Sequence, residues 1–325
     1  MRDILMFRGA QRILDICAVL QPREKVAILT DFLKVSIARA LTSAAVAMEV
    51  EPVVLVMPPR EVDGQEPPET VALALKKADL ILTPVSKSVT HTNAIREAVA
   101  QGSRGIMLSA FVEDQLISGG IEADFDAQRP LCEKVAKLLK KAKVAKLTTP
   151  AGTNLVMDLS NRKGNAHPGI ARKAGQMTSV PNIESRISPV EGKTEGILVG
   201  DGSIPYYEIG VLRESVYMTV REGKVVEIKG GEQAETIARI MATQEDPNVY
   251  NIAQLAFGLN PQCKMRGVML DDEGVYGTSH IGMGTSTLLG IKIKTKMHFD
   301  VLMWNPTLEL DSKVVLKDGK WLISV

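Results

Sequence analysis

Roughly the first 145 residues alternate between two patterns, and this alternation constrains the fold more than any other feature of the sequence. Short apolar runs typical of buried strands lie at 25–31, 51–58, 79–85 and 104–110. Runs long enough for helices lie between them, at 35–48, 69–78 and 92–102. Strands that alternate with helices favour a parallel sheet covered by helices. The sequence therefore predicts an N-terminal three-layer α/β domain over residues 1–147.

The pattern changes in the second half, where short strand-like segments follow one another with turn residues between them. The segment 148–159 is typical of strand, turn and strand, and R-E-G-K-V-V predicts a hairpin with Gly223 at its turn. One helix is predicted at 232–244, and a second helix is one interpretation of 249–256. The sequence therefore predicts a C-terminal α+β domain over residues 148–325, with a mostly antiparallel sheet.

Composition and charge exclude several classes of protein. The formal net charge is +1, so we expect no nucleic-acid partner, and no apolar run reaches about 18 residues, so we expect no membrane span. The N-terminal residues lack the apolar core of a signal peptide. Cys17, Cys132 and Cys263 show no C-x-x-C spacing, which favours free thiols in a reducing compartment. We therefore expect a cytoplasmic protein.

Imidazole chemistry is limited to four histidines, which are His91, His167, His280 and His298. His91 precedes a predicted helix and is interpreted as a surface or capping residue. His167 lies in a Gly/Pro-rich loop and is interpreted as a residue on the substrate side of a site. His280 lies in the Gly-rich stretch G-T-S-H-I-G-M-G, where the backbone can approach a ligand closely.

His298 and Asp300 form an H-x-D pair in a half-apolar strand, so their side chains point to the same face. Together with His280 they offer two nitrogens and one oxygen, a donor set that zinc, manganese, cobalt and ferrous iron accept. The same spacing is compatible with a salt-bridged pair that binds no metal. The residues alone leave both interpretations open.

Four motifs follow one another in the second half of the chain: P-N-I-E-S-R-I-S-P, Q-L-A-F-G-L-N-P, G-T-S-H-I-G-M-G and M-H-F-D. Their order resembles that of the thermophilic aminopeptidase family of metallopeptidases, also called the aminopeptidase T family. The resemblance covers most of the chain and implies a homodimer. The residues that stand at the family's metal-ligand positions are Glu184, Gln254, His280, His298 and Asp300.

Two positions depart from that family. Its E-L-x-x-G-x-N-P segment carries a metal-binding glutamate where this chain has Gln254, and Thr287 replaces its tyrosine seven residues after the G-T-x-H histidine. An amide is a poorer metal ligand than a carboxylate, so a second metal would lack negative charge. The simpler expectation is one divalent ion, Zn, Mn, Co or Fe(II), bound by the two histidines, Asp300 and Glu184, and two ions are the alternative.

The resemblance extends to 2,5-dihydroxypyridine dioxygenase, a ring-opening enzyme that uses one ferrous iron. Two histidines and one carboxylate suit oxygen activation at iron. In that enzyme one histidine lies in the G-x-N-P segment, where this chain has Gln254. This chain instead keeps the peptidase-type His280, which places its motifs closer to the peptidases.

The favoured function is metal-dependent hydrolysis of an amide bond in a small substrate or peptide, with Glu184 or Glu191 as general base. Glu191 is equally explained as a structural carboxylate at a turn. A ring-cleaving iron dioxygenase is the alternative, although only 4% of the residues are aromatic, which disfavours an aromatic substrate. A second alternative is a catalytically inactive relative that binds a ligand or a partner, because one carboxylate ligand and the tyrosine are missing.

Overall fold

The computed structural model describes residues 2–285 and 292–324, which form two compact units. Unit 1 comprises Met1–Phe125 and Gly169–Pro181, and unit 2 comprises Asp126–Pro168 and Asn182–Val325. The predicted fold class is confirmed, because unit 1 has a parallel sheet with helices and unit 2 has antiparallel sheets. The change of pattern near residue 147 lies inside unit 2. The chain returns to unit 1 at Gly169–Pro181, and this return was not predictable because the segment adds a strand of only three residues.

Unit 1 is built on a parallel sheet of five strands. In chain order these are β1 (Val26–Asp31), β2 (Pro52–Met57), β3 (Leu80–Val85), β4 (Arg104–Ser109) and β8 (Met177–Ser179). Their order across the sheet is β2-β1-β3-β4-β8, and each neighbouring pair is parallel. β1, β3 and β4 are buried along their whole length, which explains their nearly continuous apolar sequences.

Five α-helices of the described chain accompany this sheet. They are α1 (Arg2–Arg12), α2 (Val35–Ala47), α3 (Glu69–Leu75), α4 (Asn93–Ala100) and α5 (Asp114–Ile117). α3 and α4 pack on one face of the sheet in an apolar cluster that includes Leu75 and Ile95, and α2 contacts β1, β2 and β3. α4 begins where the sequence predicts, because the Thr92 side chain accepts a hydrogen bond from the Ile95 N–H and so caps the helix.

The larger sheet of unit 2 is antiparallel. Its strands are β5 (Val144–Thr148), β6 (Asn154–Asp158), β10 (Thr194–Gly200), β13 (Val216–Arg221), β14 (Lys224–Lys229), β18 (Thr307–Leu310), β19 (Lys313–Lys317) and β20 (Lys320–Trp321). Their order is β14-β13-β10-β6-β5-β18-β19-β20. The predicted hairpin is confirmed, since β13 and β14 pair around Glu222 and Gly223, whose φ angles of 48° and 70° suit a tight turn.

Other elements of unit 2 connect or cover its sheets. They are the helices α6 (Phe125–Lys141), α7 (Glu232–Ala242) and α8 (Met269–Asp272) and the strand pair β11 (Ser203–Ile204) and β12 (Gly210–Val211). α7 confirms the helix predicted at 232–244. No helix in the described part of the chain is both long and apolar enough to span a membrane.

The smaller sheet of unit 2 is also antiparallel. Its strands are β7 (Asn165–His167), β9 (Glu184–Ile187), β15 (Ile252–Gly258), β16 (Ser279–Gly284) and β17 (His298–Met303), in the order β17-β16-β15-β9-β7. A helix at 249–256 is wrong, because β15 occupies most of that segment after a short helical turn at Pro247–Tyr250. β15 is buried along its whole length, and the periodicity of such an apolar run does not distinguish a buried strand from a buried helix.

The two faces of the smaller sheet differ in chemistry. Alternate side chains, such as Phe257, Ile281 and Phe299, belong to an apolar core that they share with the larger sheet. Burial of each such side chain contributes about 1.5–3 kcal/mol to folding. The residues between them project from the other face, because successive side chains of a strand alternate. That other face carries the candidate site.

Candidate metal centre

Four neighbouring strands place polar side chains on one face of the smaller sheet. These side chains are Glu184 and Arg186 of β9, Gln254 of β15, His280 of β16, and His298 and Asp300 of β17. These six residues form the site cluster. Strand register places Gly282 opposite both Gln254 and Asp300. The structure therefore brings together the five residues predicted as metal ligands and adds Arg186, which the sequence analysis missed.

His280 and two carboxylates meet near the centre of this face. The His280 Nε2 atom lies 3.1 Å from Glu184 Oε2 and 4.0 Å from Asp300 Oδ1. The second Asp300 oxygen, Oδ2, lies 3.3 Å from His298 Nε2. Glu184, His280 and Asp300 are almost completely buried. Water therefore screens their electrostatic interactions only weakly.

The hydrogen bond of His298 determines which ring nitrogen faces Asp300. His298 Nδ1 lies 2.7 Å from the carbonyl oxygen of Thr285, which only accepts hydrogen bonds, so Nδ1 carries a proton. In the neutral ring, Nε2 then presents a lone pair to Asp300 Oδ2. A second proton or a cation at Nε2 makes this contact favourable. Metal-ligating histidines commonly use this arrangement, in which the other ring nitrogen donates to a carbonyl or a carboxylate.

Neighbouring charges keep both carboxylates of the site cluster ionised despite their burial. Burial opposes ionisation of Glu184, but Arg186, whose Nη1 lies 2.7 Å from Glu184 Oε1, and His280 lower its pKa to about 2. Burial also opposes ionisation of Asp300, but His298 and His280 hold its pKa below the usual range. For His298, burial lowers the pKa, and the Asp300 carboxylate outweighs burial, so the pKa is raised.

Three buried atoms of the site cluster have no hydrogen-bond partner among the residues that the structure describes, and these are Glu184 Oε2, Asp300 Oδ1 and His280 Nδ1. A buried polar atom without a hydrogen bond costs about 1–3 kcal/mol. The two oxygens both face His280 Nε2, at 3.1 Å and 4.0 Å. A cation held near these oxygens would compensate their loss of hydrogen bonds.

The donors contact one another in pairs rather than forming a finished metal site. Among residues 2–285 and 292–324, no group of three His, Cys, Asp or Glu side chains is arranged to hold a metal ion. Their chemistry nevertheless fits a divalent ion, because two imidazoles and two carboxylates are donors that zinc, manganese, cobalt and ferrous iron accept. The two unsatisfied carboxylate oxygens support the same fit.

Tyr206 and Glu273 lie next to the site cluster, and neither was predicted from the sequence. The Tyr206 hydroxyl lies 3.0 Å from Asp300 Oδ2 and 2.8 Å from Glu273 Oε1. The Tyr206 ring stands edge-on to the His298 ring, with 6.3 Å between centroids. Burial, Asp300 and Glu184 raise the pKa of Glu273 well above its usual value. The two residues are 67 positions apart and lie in no motif, so no local signal connects them.

Glu191, predicted as a general base, lies in a turn after β9. One carboxylate oxygen, Oε2, pairs with Arg162, and the other, Oε1, accepts a 3.0 Å hydrogen bond from the Lys292 N–H. Both oxygens therefore have partners within the turn and its neighbours. This environment is that of a structural carboxylate, which the sequence analysis considered as the alternative role of Glu191.

Three other residues from the sequence analysis have different locations. His167 on β7 is in register with Glu184 and is one of the groups that lower the pKa of Glu184. His91 is exposed and lies in unit 1, just before α4. Thr287 lies outside the described residues. Of these three, only His167 is next to the site cluster in the described structure.

Comparison with known proteins identifies the family. The family model for NicX, 2,5-dihydroxypyridine 5,6-dioxygenase, matches residues 6–323. The chain belongs to the NicX family. A curated relative, 2,5-dihydroxypyridine 5,6-dioxygenase of Pseudomonas putida, is 26% identical over 258 residues, which cover 76% of this chain and 71% of the relative.

Two solved structures share the fold of this NicX family member. One is 2,5-dihydroxypyridine dioxygenase from Pseudomonas putida, with a TM-score of 0.83 and 21% identity over 99% of this chain and 98% of the other. The second is AmpT from Thermus thermophilus, with a TM-score of 0.71 and 14% identity over 99% of this chain and 100% of the other. At these identities the likeness concerns the fold.

The comparisons correct the favoured function. Metal-dependent hydrolysis is wrong, because both the family and the curated relative are 2,5-dihydroxypyridine 5,6-dioxygenases, which was the alternative. The aminopeptidase T resemblance is a distant relationship of fold. The low aromatic content of the whole chain does not exclude aromatic side chains at the site, since the Tyr206 ring stands beside the His298 ring. The average composition of a chain does not describe the composition of its site.

Proposed function

We propose that this protein is a mononuclear iron(II) dioxygenase that opens a hydroxylated, nitrogen-containing aromatic ring, with 2,5-dihydroxypyridine as the first substrate to test. The observation that carries the proposal is the position of Asp300, whose two oxygens face His280 and His298 in a chain of the NicX family. Ferrous iron bound by two histidines and one carboxylate supplies open positions for oxygen and for a hydroxylated ring.

The proposed ligands are His280 Nε2, His298 Nε2 and a carboxylate oxygen of Asp300. His298 is oriented for this role, because Thr285 accepts from Nδ1 and leaves Nε2 facing Asp300. Asp300 supports it as well, since its pKa is low and its oxygens face both histidines. Among the divalent ions predicted from the sequence, this donor set and the family favour Fe(II).

The position of His280 accounts for the main departure from the dioxygenase pattern. The resemblance to the dioxygenase implies a histidine in the G-x-N-P segment, where this chain has Gln254. β15 and β16 are neighbouring strands, and Gln254 Nε2 lies only 3.4 Å from His280 Nε2. We infer that His280 presents its nitrogen from the adjacent strand at nearly the place that a histidine at position 254 would use.

Glu184 acts in this proposal as an anion and a hydrogen-bond acceptor rather than as a general base. A carboxylate with a pKa of about 2 is a weak base at neutral pH. Its Oε2 atom has no hydrogen-bond partner in the described part of the chain and can accept a hydrogen bond from a substrate hydroxyl. Arg186 neutralises one of the two carboxylates, so a divalent ion leaves the site with one net positive charge. Such a site favours a singly ionised hydroxylated ring.

The direct test is oxygen consumption by the full chain loaded anaerobically with iron(II). With 2,5-dihydroxypyridine we expect oxygen uptake and transfer of oxygen-18 from labelled O2 to the ring-opened product, and no uptake after loading with zinc. His298→Ala should abolish uptake, whereas His91→Ala removes an exposed histidine of unit 1 and should preserve it. Iron binding without oxygen uptake on any dihydroxypyridine would contradict the proposal and favour an inactive binding relative.

The homodimer expected from the resemblance stays a prediction. Light scattering coupled to size-exclusion chromatography measures the mass in solution, which is 35.2 kDa for one chain. A mass of twice that value would support the dimer.

A further inference from the structure

We infer that Tyr206, anchored by Glu273, is a positioning residue that fixes the Asp300 carboxylate for metal binding. The inference rests on the metal site of the proposed function. It concerns two residues that lie outside every motif of the sequence. Four observations carry it: the hydrogen-bond geometry, the distribution of charge, the state of the two Asp300 oxygens and the backbone around Tyr206.

The Tyr206 hydroxyl lies between two carboxyl groups, 2.8 Å from Glu273 Oε1 and 3.0 Å from Asp300 Oδ2. A phenol has one proton to donate and also accepts through its oxygen. It can hydrogen-bond to both groups only if one of them is protonated and donates to the phenol oxygen. The phenol proton then goes to the other group, which is the ionised one.

The charges around each group determine which one is ionised. Asp300 faces two imidazoles, His298 at 3.3 Å and His280 at 4.0 Å, and these favour its ionised form. Glu273 is only 7% exposed, and its charged neighbours include Asp300 and Glu184, which outweigh the opposite influence of Arg186. Metal binding requires the ionised form of Asp300, so Tyr206 donates to Asp300, and Glu273 donates to the Tyr206 oxygen at 2.8 Å.

This hydrogen bond determines which Asp300 oxygen remains available. Oδ2 accepts from Tyr206 and faces His298, whereas Oδ1 is buried without a hydrogen bond and faces His280. Without the phenol, Oδ2 loses a hydrogen-bond donor that holds it from outside the histidine pair. Residues that orient a metal ligand in this way commonly change metal affinity by about 10–100-fold.

The backbone holds Tyr206 in place. Tyr206 lies between β11 and β12, and β11 contacts β17, the strand of Asp300. The next two residues, Tyr207 and Glu208, have φ angles of 54° and 61°, in the left-handed region that non-glycine residues rarely adopt. Such backbone persists only where the surrounding structure determines it. The turn therefore directs Tyr206 back toward Asp300.

The first test is the metal affinity of the full chain, titrated anaerobically with Co(II) and with Fe(II). Tyr206→Phe should bind each ion about 10-fold more weakly and change the visible spectrum of bound Co(II), because Asp300 is no longer fixed. The matched control is Tyr217→Phe, which removes the same hydroxyl from an exposed tyrosine of β13 and should change neither quantity. Unchanged affinity and spectrum in Tyr206→Phe would overturn the inference.

Glu273 variants test the anchor separately. Glu273→Gln keeps a neutral group that donates to the phenol oxygen, so metal affinity should stay within about 3-fold of wild type. Glu273→Leu removes the donor and should resemble Tyr206→Phe. If Glu273→Leu binds metal as tightly as wild type, Glu273 does not anchor Tyr206.

A measurement on the metal-free protein separates this inference from the proposed function. The chain has five tyrosines, so carbon-13 labelling of tyrosine Cζ gives a simple NMR spectrum, in which Tyr206→Phe identifies the Tyr206 resonance. Asp300→Asn should shift this resonance and leave that of Tyr217 in place. A shift in a protein that binds no metal would support the hydrogen bond while the proposed function fails. A Tyr206 resonance that does not respond to Asp300→Asn would overturn the inference even in an active enzyme.

Discussion

The parallel sheet of unit 1 and the smaller sheet of unit 2 each have five strands, and each buries carboxylate groups. In unit 1, Asp31 at the end of β1 accepts hydrogen bonds from the Leu33 N–H at 3.0 Å, the Ser86 N–H at 2.6 Å and the Ser86 hydroxyl at 2.7 Å. In unit 2, Glu184 and Asp300 each keep one buried oxygen that has no hydrogen-bond partner within residues 2–285 and 292–324.

This difference separates a structural carboxylate from carboxylates available to a ligand. The Asp31 oxygens hold the ends of β1 and β3 together, and burial of a fully hydrogen-bonded group costs little. The free oxygens of Glu184 and Asp300 leave an energetic cost in the folded protein, which a bound cation or substrate would remove. A buried carboxylate therefore stabilises the fold in unit 1, whereas the buried carboxylates of unit 2 remain available to a ligand.

Paired substitutions at Asp300 and Asp31 should give the largest contrast. Asp300→Asn should weaken Fe(II) or Co(II) binding by more than about 100-fold, since even residues that only orient a ligand are worth 10–100-fold. Asp31→Asn should instead lower the free energy of unfolding by about 1–3 kcal/mol, because its amide group faces hydrogen-bond donors. Metal titration and urea unfolding of both variants measure this. An equal loss of metal affinity in Asp31→Asn would contradict the distinction between a structural carboxylate and a metal-binding carboxylate.

The second prediction concerns moving the histidine of the site from position 280 on β16 to position 254 on β15. His280→Ala should reduce iron affinity by more than about 10-fold, and adding Gln254→His should restore a large part of it. The reason is the 3.4 Å separation of the two side-chain nitrogens on neighbouring strands. Anaerobic iron titration of the single and double variants provides the measurement. A double variant no better than His280→Ala would show that the two positions are not equivalent.

Two glycines, one in each sheet, differ in the space available for a side chain. A Cβ at Gly282 would lie 2.7 Å from Gln254 Cβ and 3.0 Å from Asp300 Oδ1, whereas a Cβ at Gly105 of β4 would meet the mobile end of Met107, its Cε, at 2.5 Å. Gly282→Ala should therefore destabilise the protein by about 1–3 kcal/mol and weaken metal binding. Gly105→Ala should cost less, because a methionine side chain adapts easily. Urea unfolding with a metal titration decides whether the smaller sheet is the less tolerant one.

The smallest effect is expected at Glu191. Its pair with Arg162 is partly exposed, so Glu191→Gln should lower the free energy of unfolding by at most about 1 kcal/mol and leave metal affinity unchanged. Oxygen uptake should also be unchanged. A tenfold loss of uptake at normal stability would instead restore Glu191 as the general base predicted from the sequence.

Local periodicity made the fold class predictable. The four predicted strands and three predicted helices of unit 1 begin and end within a few residues of the predicted segments, because apolar periodicity and capping residues such as Thr92 act over one or two turns. The elements α1, α5 and β8 were not predicted. β15 was the exception. Its seven residues are all buried, so the alternation that identifies a strand is absent from this segment.

The candidate site was predictable only in part. The two-residue spacing of His298 and Asp300 placed them on one strand face, and the motif order connected them to Glu184, Gln254 and His280. The same motifs favoured the wrong reaction, because the peptidase-type placement of His280 was given more weight than the dioxygenase pattern. The two placements are on adjacent strands, and their closeness becomes visible only in the folded chain.

Residue patterns along the chain were enough to predict the α/β and antiparallel units, and two histidines and a carboxylate suited to a metal ion. Only the folded chain shows that Arg186 binds Glu184, that Tyr206 contacts both Asp300 and Glu273, and that Glu191 lies in a structural turn. The two kinds of feature differ in how far apart along the sequence the interacting residues are. The periodicity of strands and helices depends on residues that are close in sequence. The Tyr206–Asp300 contact instead joins residues 94 positions apart, and strand register and packing bring them together.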